Sequence, residues 1–80
     1  MKSEEILEIV TQLFRDVLDV PGLVLHRETT AKDVDEWDSL THVQLVYAVE
    51  TRFKVRFLAK QIAGFKNVGE MCDAVARLSG

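Results

Sequence analysis

The chain contains one cysteine, Cys72, so it can form no internal disulfide and offers no thiolate cluster to hold zinc or an iron–sulfur centre. That usage fits a reducing compartment. One proline and four glycines in 80 residues are too few for a disordered or low-complexity segment. Long hydrophobic runs are missing as well. The uninterrupted apolar stretches span only a few residues, far below the roughly 20 that cross a bilayer. The amino terminus is acidic where a secretory signal would be basic. The expectation is a soluble, cytoplasmic protein with no membrane association. Positive charge is also scarce where it would have to gather for nucleic acid: residues 1–38 carry a net −6 and residues 39–80 a net +3, which leaves no continuous basic footprint. Asp33, Asp35, Glu36 and Asp38 instead form an acidic stretch. It is either a solvated loop or a surface read by a basic protein partner.

What is present is the composition of a compact globular protein, 48% hydrophobic and 29% charged. A chain this short buries only about 60% of its unfolded surface, so one domain over 1–80 is expected and a second core would not fit. Ile6, Ile9, Val10, Leu13, Phe14 and Val17 make the i, i+3, i+4, i+7 stripe of an amphipathic helix over Ser3 to Leu18. Ser3 is its expected N-cap, Glu4 and Glu5 suit its positive end, and Pro21-Gly22 is expected to end it. Residues 19–37 show no sustained period and read as a long loop with at most a short helical turn. Leu23, Val24, Leu25, Val34 and Trp37 are the residues expected to pack it down.

A second helix is expected from Ser39 to Phe53, capped by Asp38, with Leu40, Val43, Val46, Tyr47, Val49 and Phe53 on its apolar face and Thr41, Gln44, Ala48 and Thr51 toward solvent. Residues 54–57 alternate like a strand without a partner and read as an extended connector. A short third helix over 58–64, turning Ala59 and Ile62 inward, is expected to stop at Gly64. Asn67 followed by Glu70 resembles a capping box. It opens a last helix with Val68, Met71, Cys72, Val75 and Leu78 on one stripe, where Cys72 is a small buried hydrophobe. The pattern predicts an all-α four-helix bundle, three main helices and one short one, with a long loop between helices 1 and 2. Bundles of this size host many functions, so the fold alone decides nothing.

Chemistry enters at Trp37-Asp38-Ser39-Leu40. A serine in the first turn of a helix, just after a loop, presents an accessible hydroxyl. A phosphodiester built on it would lie beside free backbone N–H groups and the positive end of the helix dipole. The same residues also serve as an ordinary helix start, because Asp and Ser both cap well. His26 and His42 stand alone in sequence, with no metal-ligand spacing and no nucleophile near them, and read as solvated or packing residues. His42, three residues after Ser39, is the one placed to reach a group on that serine or a partner. Trp37 reads as a structural plug rather than an exposed contact.

The stretch Glu36 to Phe57, EWDSLTHVQLVYAVETRFKVRF, resembles the core motif of the acyl carrier protein family: Asp38-Ser39-Leu40, the aliphatic Val43, Leu45 and Val46, then Glu50, then Phe53-Lys54-Val55. The rest of the chain agrees with the layout of that family. The resemblance implies that Ser39 takes 4′-phosphopantetheine from coenzyme A through a separate phosphopantetheinyl transferase that uses magnesium. The thiol of the arm would hold an acyl group as a thioester, with Asp38 and Leu40 flanking the attachment point. It implies a carrier and not an enzyme. Asp35, Glu36, Asp38, Val43 and Glu50 would meet partner enzymes: an acyl-loading ligase or acyltransferase and the downstream enzymes of fatty-acid or polyketide biosynthesis. The carrier would be monomeric and bind no metal of its own.

Three departures refine that expectation. Thr41, Gln44 and Thr51 stand where common fatty-acid carriers have acids, Arg52, Lys54 and Arg56 follow, and Trp37 precedes the triplet. They point to a dedicated stand-alone carrier in a specialised pathway. Two alternatives remain at this level. Aminoacyl or peptidyl carriers share the arm, although they commonly place glycines before the serine. A helical protein-interaction module would use Ser39 only as part of a cap.

Overall fold

The computed structural model describes residues 2–79, and those residues form four helices with no strand among them: α1 (Ser3–Leu18), α2 (Ser39–Phe53), α3 (Ala59–Gly64) and α4 (Val68–Ser79). A single 3-10 turn, Ala31–Asp33, sits in the loop between α1 and α2. Helix α1 packs against both α2 and α4. It does so through Ile6, Val10 and Phe14, all fully buried, and Leu18, a one-sided stripe at helical spacing.

The ends of α1 differ from expectation. Ser3 is the first helical residue, not the cap. Lys2 precedes it in extended conformation, and its backbone N–H donates to Glu5 Oε1 at 3.2 Å, so the acid takes up the end of the helix. The helix stops at Leu18, three residues before Pro21. Asp19 adopts a left-handed φ of 57°, and the Val20 N–H donates to the Arg15 carbonyl at 3.0 Å. Asp tolerates that conformation better than most residues. Lys54 makes the same left-handed turn after α2.

Helix α2 has two apolar stripes. Leu45, Val46, Val49 and Phe53 face the core, while Leu40, Val43 and Tyr47 are 71%, 64% and 71% exposed, contrary to the single broad face expected. The two sets lie about 140° apart at 100° per residue, and α1 can cover only one of them. Leu45 is the fully buried residue that the face drawn from sequence omitted. Helix α3 is too short to cover the other stripe and has no fully buried residue of its own: Ala59 is exposed and Ile62 half-buried. Gly64 is its last residue but takes no left-handed turn, so the expected glycine stop is absent and the chain simply continues extended through Phe65.

In α4 the Glu70 N–H donates to Asn67 Oδ1 at 2.9 Å, as expected of the cap, while the Glu70 carboxylate reaches one residue further back, to the Lys66 N–H at 3.0 Å. Val68, Met71, Cys72 and Val75 are buried, Ala74 joins them, and Leu78 is 46% exposed near the end of the helix. Burial pushes the Cys72 thiol up to about 11, so it is a packing residue rather than a nucleophile.

The long loop is tied down by backbone as well as by side chains. Leu25, Val34 and Trp37 are buried, but Val24 points outward. The Val68 and Gly69 N–H groups at the start of α4 donate to the Thr29 and Arg27 carbonyls at 2.9 and 2.8 Å, which satisfies helix donors that would otherwise lack partners. A Cβ on Gly69 would stand 3.0 Å from the Arg27 carbonyl oxygen, so the loop can approach only because that residue has none. Arg27 adds an ion pair with Asp73 at 2.9 Å that holds its guanidinium more firmly charged. Both side chains are about half exposed, and such pairs contribute little, up to about 1 kcal/mol.

Candidate functional site

The loop delivers Trp37 into the core and Asp38 to the end of α2, so the serine that follows falls on the first helical residue. Asp38 Oδ1 accepts from the Leu40 N–H at 3.0 Å and the Thr41 N–H at 2.9 Å, which holds its carboxyl below the usual carboxylate range. Thr41, read as a solvent residue, closes the other half of the cap. Its Oγ1 accepts from the Asp38 N–H at 2.8 Å and donates to the Glu36 carbonyl at 2.8 Å. Of the first-turn N–H groups expected to be free for an anion, those of Leu40 and Thr41 are therefore used by Asp38, which leaves that of Ser39. The Ser39 side chain itself is exposed at this tip.

Behind Ser39 the structure shows a contact not anticipated from sequence. Trp37 Nε1–H donates to His42 Nδ1 at 3.0 Å, and His42 Nε2 lies 2.9 Å from the Ile62 carbonyl oxygen in α3. The two rings are inclined by 18°, and Trp37 meets Phe14 of α1 edge-on with centroids 5.0 Å apart. Trp37 and His42 occupy the positions before the cap and four after it, which pack together in a hydrophobic staple. That spacing was the available signal. His26 lies apart in the exposed part of the loop, and among the described residues no group of three or more metal-ligating side chains comes together.

A groove of about 310 Å³ opens beside the serine, between the start of α2 and α3. Ser39, Asp38, Trp37, His42, Ile62 and Phe65 are among its walls. A larger depression, about 600 Å³, lies at the opposite end of α2 beside Tyr47, Lys54 and Arg56. It is remote from Ser39 by most of a helix of about 22 Å, so the smaller groove is the one that adjoins the hydroxyl. Asp35, Glu36 and Val43 are exposed, and none of the three is among the walls of that groove. Glu50 is half-buried, and its Oε2 accepts from the Phe57 N–H at 2.8 Å, which fastens the connector after α2.

Comparison with known proteins agrees with this geometry. Residues 8–75 match the family described as "Phosphopantetheine attachment site". The chain is 30% identical to an acyl carrier protein of Acidothermus cellulolyticus, over 95% of this chain and 90% of that protein. It is 31% identical to one of Saccharopolyspora erythraea, over 99% and 87%. The solution structure of holo acyl carrier protein from Geobacter metallireducens superposes with a TM-score of 0.84 at 40% identity, covering 90% of this chain and 83% of that one. With a capped serine at the head of α2, a groove beside it and family agreement over most of its length, the chain belongs to the acyl carrier proteins, non-catalytic helical carriers of covalently attached phosphopantetheine.

Proposed function

We propose that Ser39 is the attachment point of the arm and that residues 1–80 act as one monomeric carrier domain in the cytoplasm, dedicated to a specialised biosynthetic pathway. The observation that carries this reading is the exposure of Ser39, the first residue of α2, beside a groove of about 310 Å³. The residues present fit the group. The serine hydroxyl is reachable, its own backbone N–H and the helix dipole favour an anion there, and Asp38 fixes the turn that presents it. When bound, 4′-phosphopantetheine supplies a thiol that holds an acyl group as a thioester. The protein's own residues present, orient and shelter that arm.

Docking would follow from the same tip. Asp35, Glu36 and Asp38 supply negative charge around Ser39, and Leu40, Val43 and Tyr47 run from it along α2 as an exposed apolar stripe. Charge at the rim speeds encounter, and a small apolar contact keeps the complex short-lived, which suits a shuttle between a transferase, a loading ligase or acyltransferase, and downstream enzymes. Glu50 contributes at most one free carboxylate oxygen, since the other holds Phe57. At the far end of α2, Arg52, Lys54 and Arg56 are exposed, and the ion pair present among the described residues, Arg27 with Asp73, involves none of them. A partner shaped for this carrier must tolerate that positive end, which supports a dedicated enzyme set.

The test is modification by a broad-specificity phosphopantetheinyl transferase with coenzyme A and magnesium. The wild type should gain the mass of one arm and Ser39→Ala none. A folded wild-type protein that gains nothing, or a Ser39→Ala protein that still gains the arm, would refute the assignment.

A further inference from the structure

The groove beside Ser39 reaches the core through one residue. Of its walls only Trp37 is buried; the others, His42, Ile62 and Phe65 among them, are half-buried or exposed. None of the fully buried residues of the core, such as Val10, Phe14 or Leu45, lines it. Trp37 both lines the groove and meets Phe14 of α1 edge-on, so it stands between the groove and the bundle interior. The indole is held in place. Its Nε1–H donates to His42 Nδ1 at 3.0 Å, and Nε2 of that ring lies 2.9 Å from the Ile62 carbonyl oxygen, which joins the loop, α2 and α3 in one clip. Turning the indole aside would strand a buried donor and break the edge-on contact with Phe14.

We propose that Trp37 determines which cargo this carrier takes: it closes the bundle interior to an acyl chain, so the cargo is a short or polar acyl group held at the open groove. The proposal rests on Ser39 being the attachment point. A groove of about 310 Å³ is at the lower end of the roughly 300–1,000 Å³ of pockets that take a small ligand. The arm is itself a ligand of that size, so little of the groove is left for what it carries. A longer chain has two directions open to it, outward into water or inward past the indole. Outward, each methylene left wet is disfavoured about fourfold against an apolar interior. Inward, the way is barred by a ring that is packed on Phe14 and hydrogen-bonded to His42. The groove walls agree with a small cargo of mixed character, since Ile62 and Phe65 accept a few carbons while Asp38 and Lys66 suit polar substituents.

The experiment loads the full chain with acetyl or octanoyl arms, using a broad-specificity phosphopantetheinyl transferase, magnesium and the matching acyl-coenzyme A. NMR then reads nuclear Overhauser contacts between the acyl chain and the protein. The mass of each sample is checked first. A folded chain that takes up no arm refutes the attachment reading, and the proposal with it; contacts in a loaded chain bear on the proposal alone. In the wild type the octanoyl chain should show no contact with Phe14 or with the fully buried methyls of Val10 and Leu45, and those methyls should keep the shifts they have with the acetyl arm. In Trp37→Leu the octanoyl chain should enter, with contacts to Phe14 and a thioester that hydroxylamine cleaves several-fold more slowly than in the wild type. Trp37→Phe keeps a ring without the bond to His42. It serves where Trp37→Leu does not fold, and it should admit the chain because nothing then pins the ring. Octanoyl contacts with the interior of the wild type would overturn the proposal. Exclusion of the chain from every folded variant would overturn the assignment to Trp37.

Discussion

Helices α1 and α2 carry comparable amounts of apolar side chain but use it differently. In α1 the apolar residues are buried or half-buried on one side, against α2 and α4. In α2 one stripe is buried and a second, Leu40, Val43 and Tyr47, is left to solvent along the side that begins at Ser39. Side chains of the same chemical kind are therefore covered in one helix and divided between core and solvent in the other. Placement in the fold, not hydrophobicity, separates the two sets.

The contrast can be broken most strongly from the buried side. Phe14 is fully buried and supports Trp37 edge-on. Phe14→Ala should cost about 3–5 kcal/mol, a large share of the roughly 4–12 kcal/mol available to a domain of this size. Urea denaturation should show most of the transition shifted toward zero denaturant; a loss below about 1 kcal/mol would mean that Phe14 is not a keystone of the core. Gly69→Ala comes next. Its Cβ would press on the Arg27 carbonyl at 3.0 Å, a backbone atom that cannot swing aside. The expected loss is about 1–3 kcal/mol, with faster hydrogen exchange at Val68 and Gly69; unchanged exchange would contradict the close approach.

A smaller effect is expected where the two kinds of surface meet, at the cap of α2. Thr41→Val removes the hydrogen bonds of Oγ1, the two shortest being those to the Asp38 N–H and the Glu36 carbonyl, and should destabilise by about 1 kcal/mol, in keeping with a typical net bond at a partly exposed site. The cap also gives α2 a pH dependence of known sign. The Asp38 carboxyl is held below its ordinary value by the N–H groups it accepts from. Its contribution is therefore fully present above the ordinary carboxylate value and is lost as pH falls through the depressed one. The first-turn amides of α2 should lose protection on acidification in the wild type and be unprotected at all pH values in Asp38→Ala. A wild-type first turn insensitive to acid would contradict the cap.

The smallest effect on stability belongs to the exposed stripe. Tyr47→Ala, at a residue 71% exposed, should change stability by less than about 0.5 kcal/mol. The same change should raise the KM of a partner enzyme that uses the stripe while leaving its kcat unchanged. A large loss of stability would place Tyr47 in the core instead.

The order and spans of the helices were legible in the sequence, because helical periodicity in α1 and α4 and the Asp38-Ser39 start each follow from local chemistry. The sorting of α2 into two stripes was not. Leu40, Val43 and Tyr47 look like core residues to any reading that counts apolar spacing, and only the shortness of α3 and the placement of α1 show that nothing covers them. Thr41 reads as a solvent residue in sequence because a hydroxyl three places after a cap is less conspicuous than the acid or amide of a capping box. His42 escaped for a different reason. Its second partner, the Ile62 carbonyl, is twenty residues away and becomes a neighbour only in the folded chain. The loop contact at Gly69 is likewise a backbone event that side-chain patterns do not record.

The most direct trial is tandem mass spectrometry of the protein isolated from its native source, with fragments that bracket Trp37 to His42. A phosphopantetheine group located on Ser39, with or without an acyl load on its thiol, is the expected result; a group located on any other residue, or a protein that functions with this serine bare, would contradict the account.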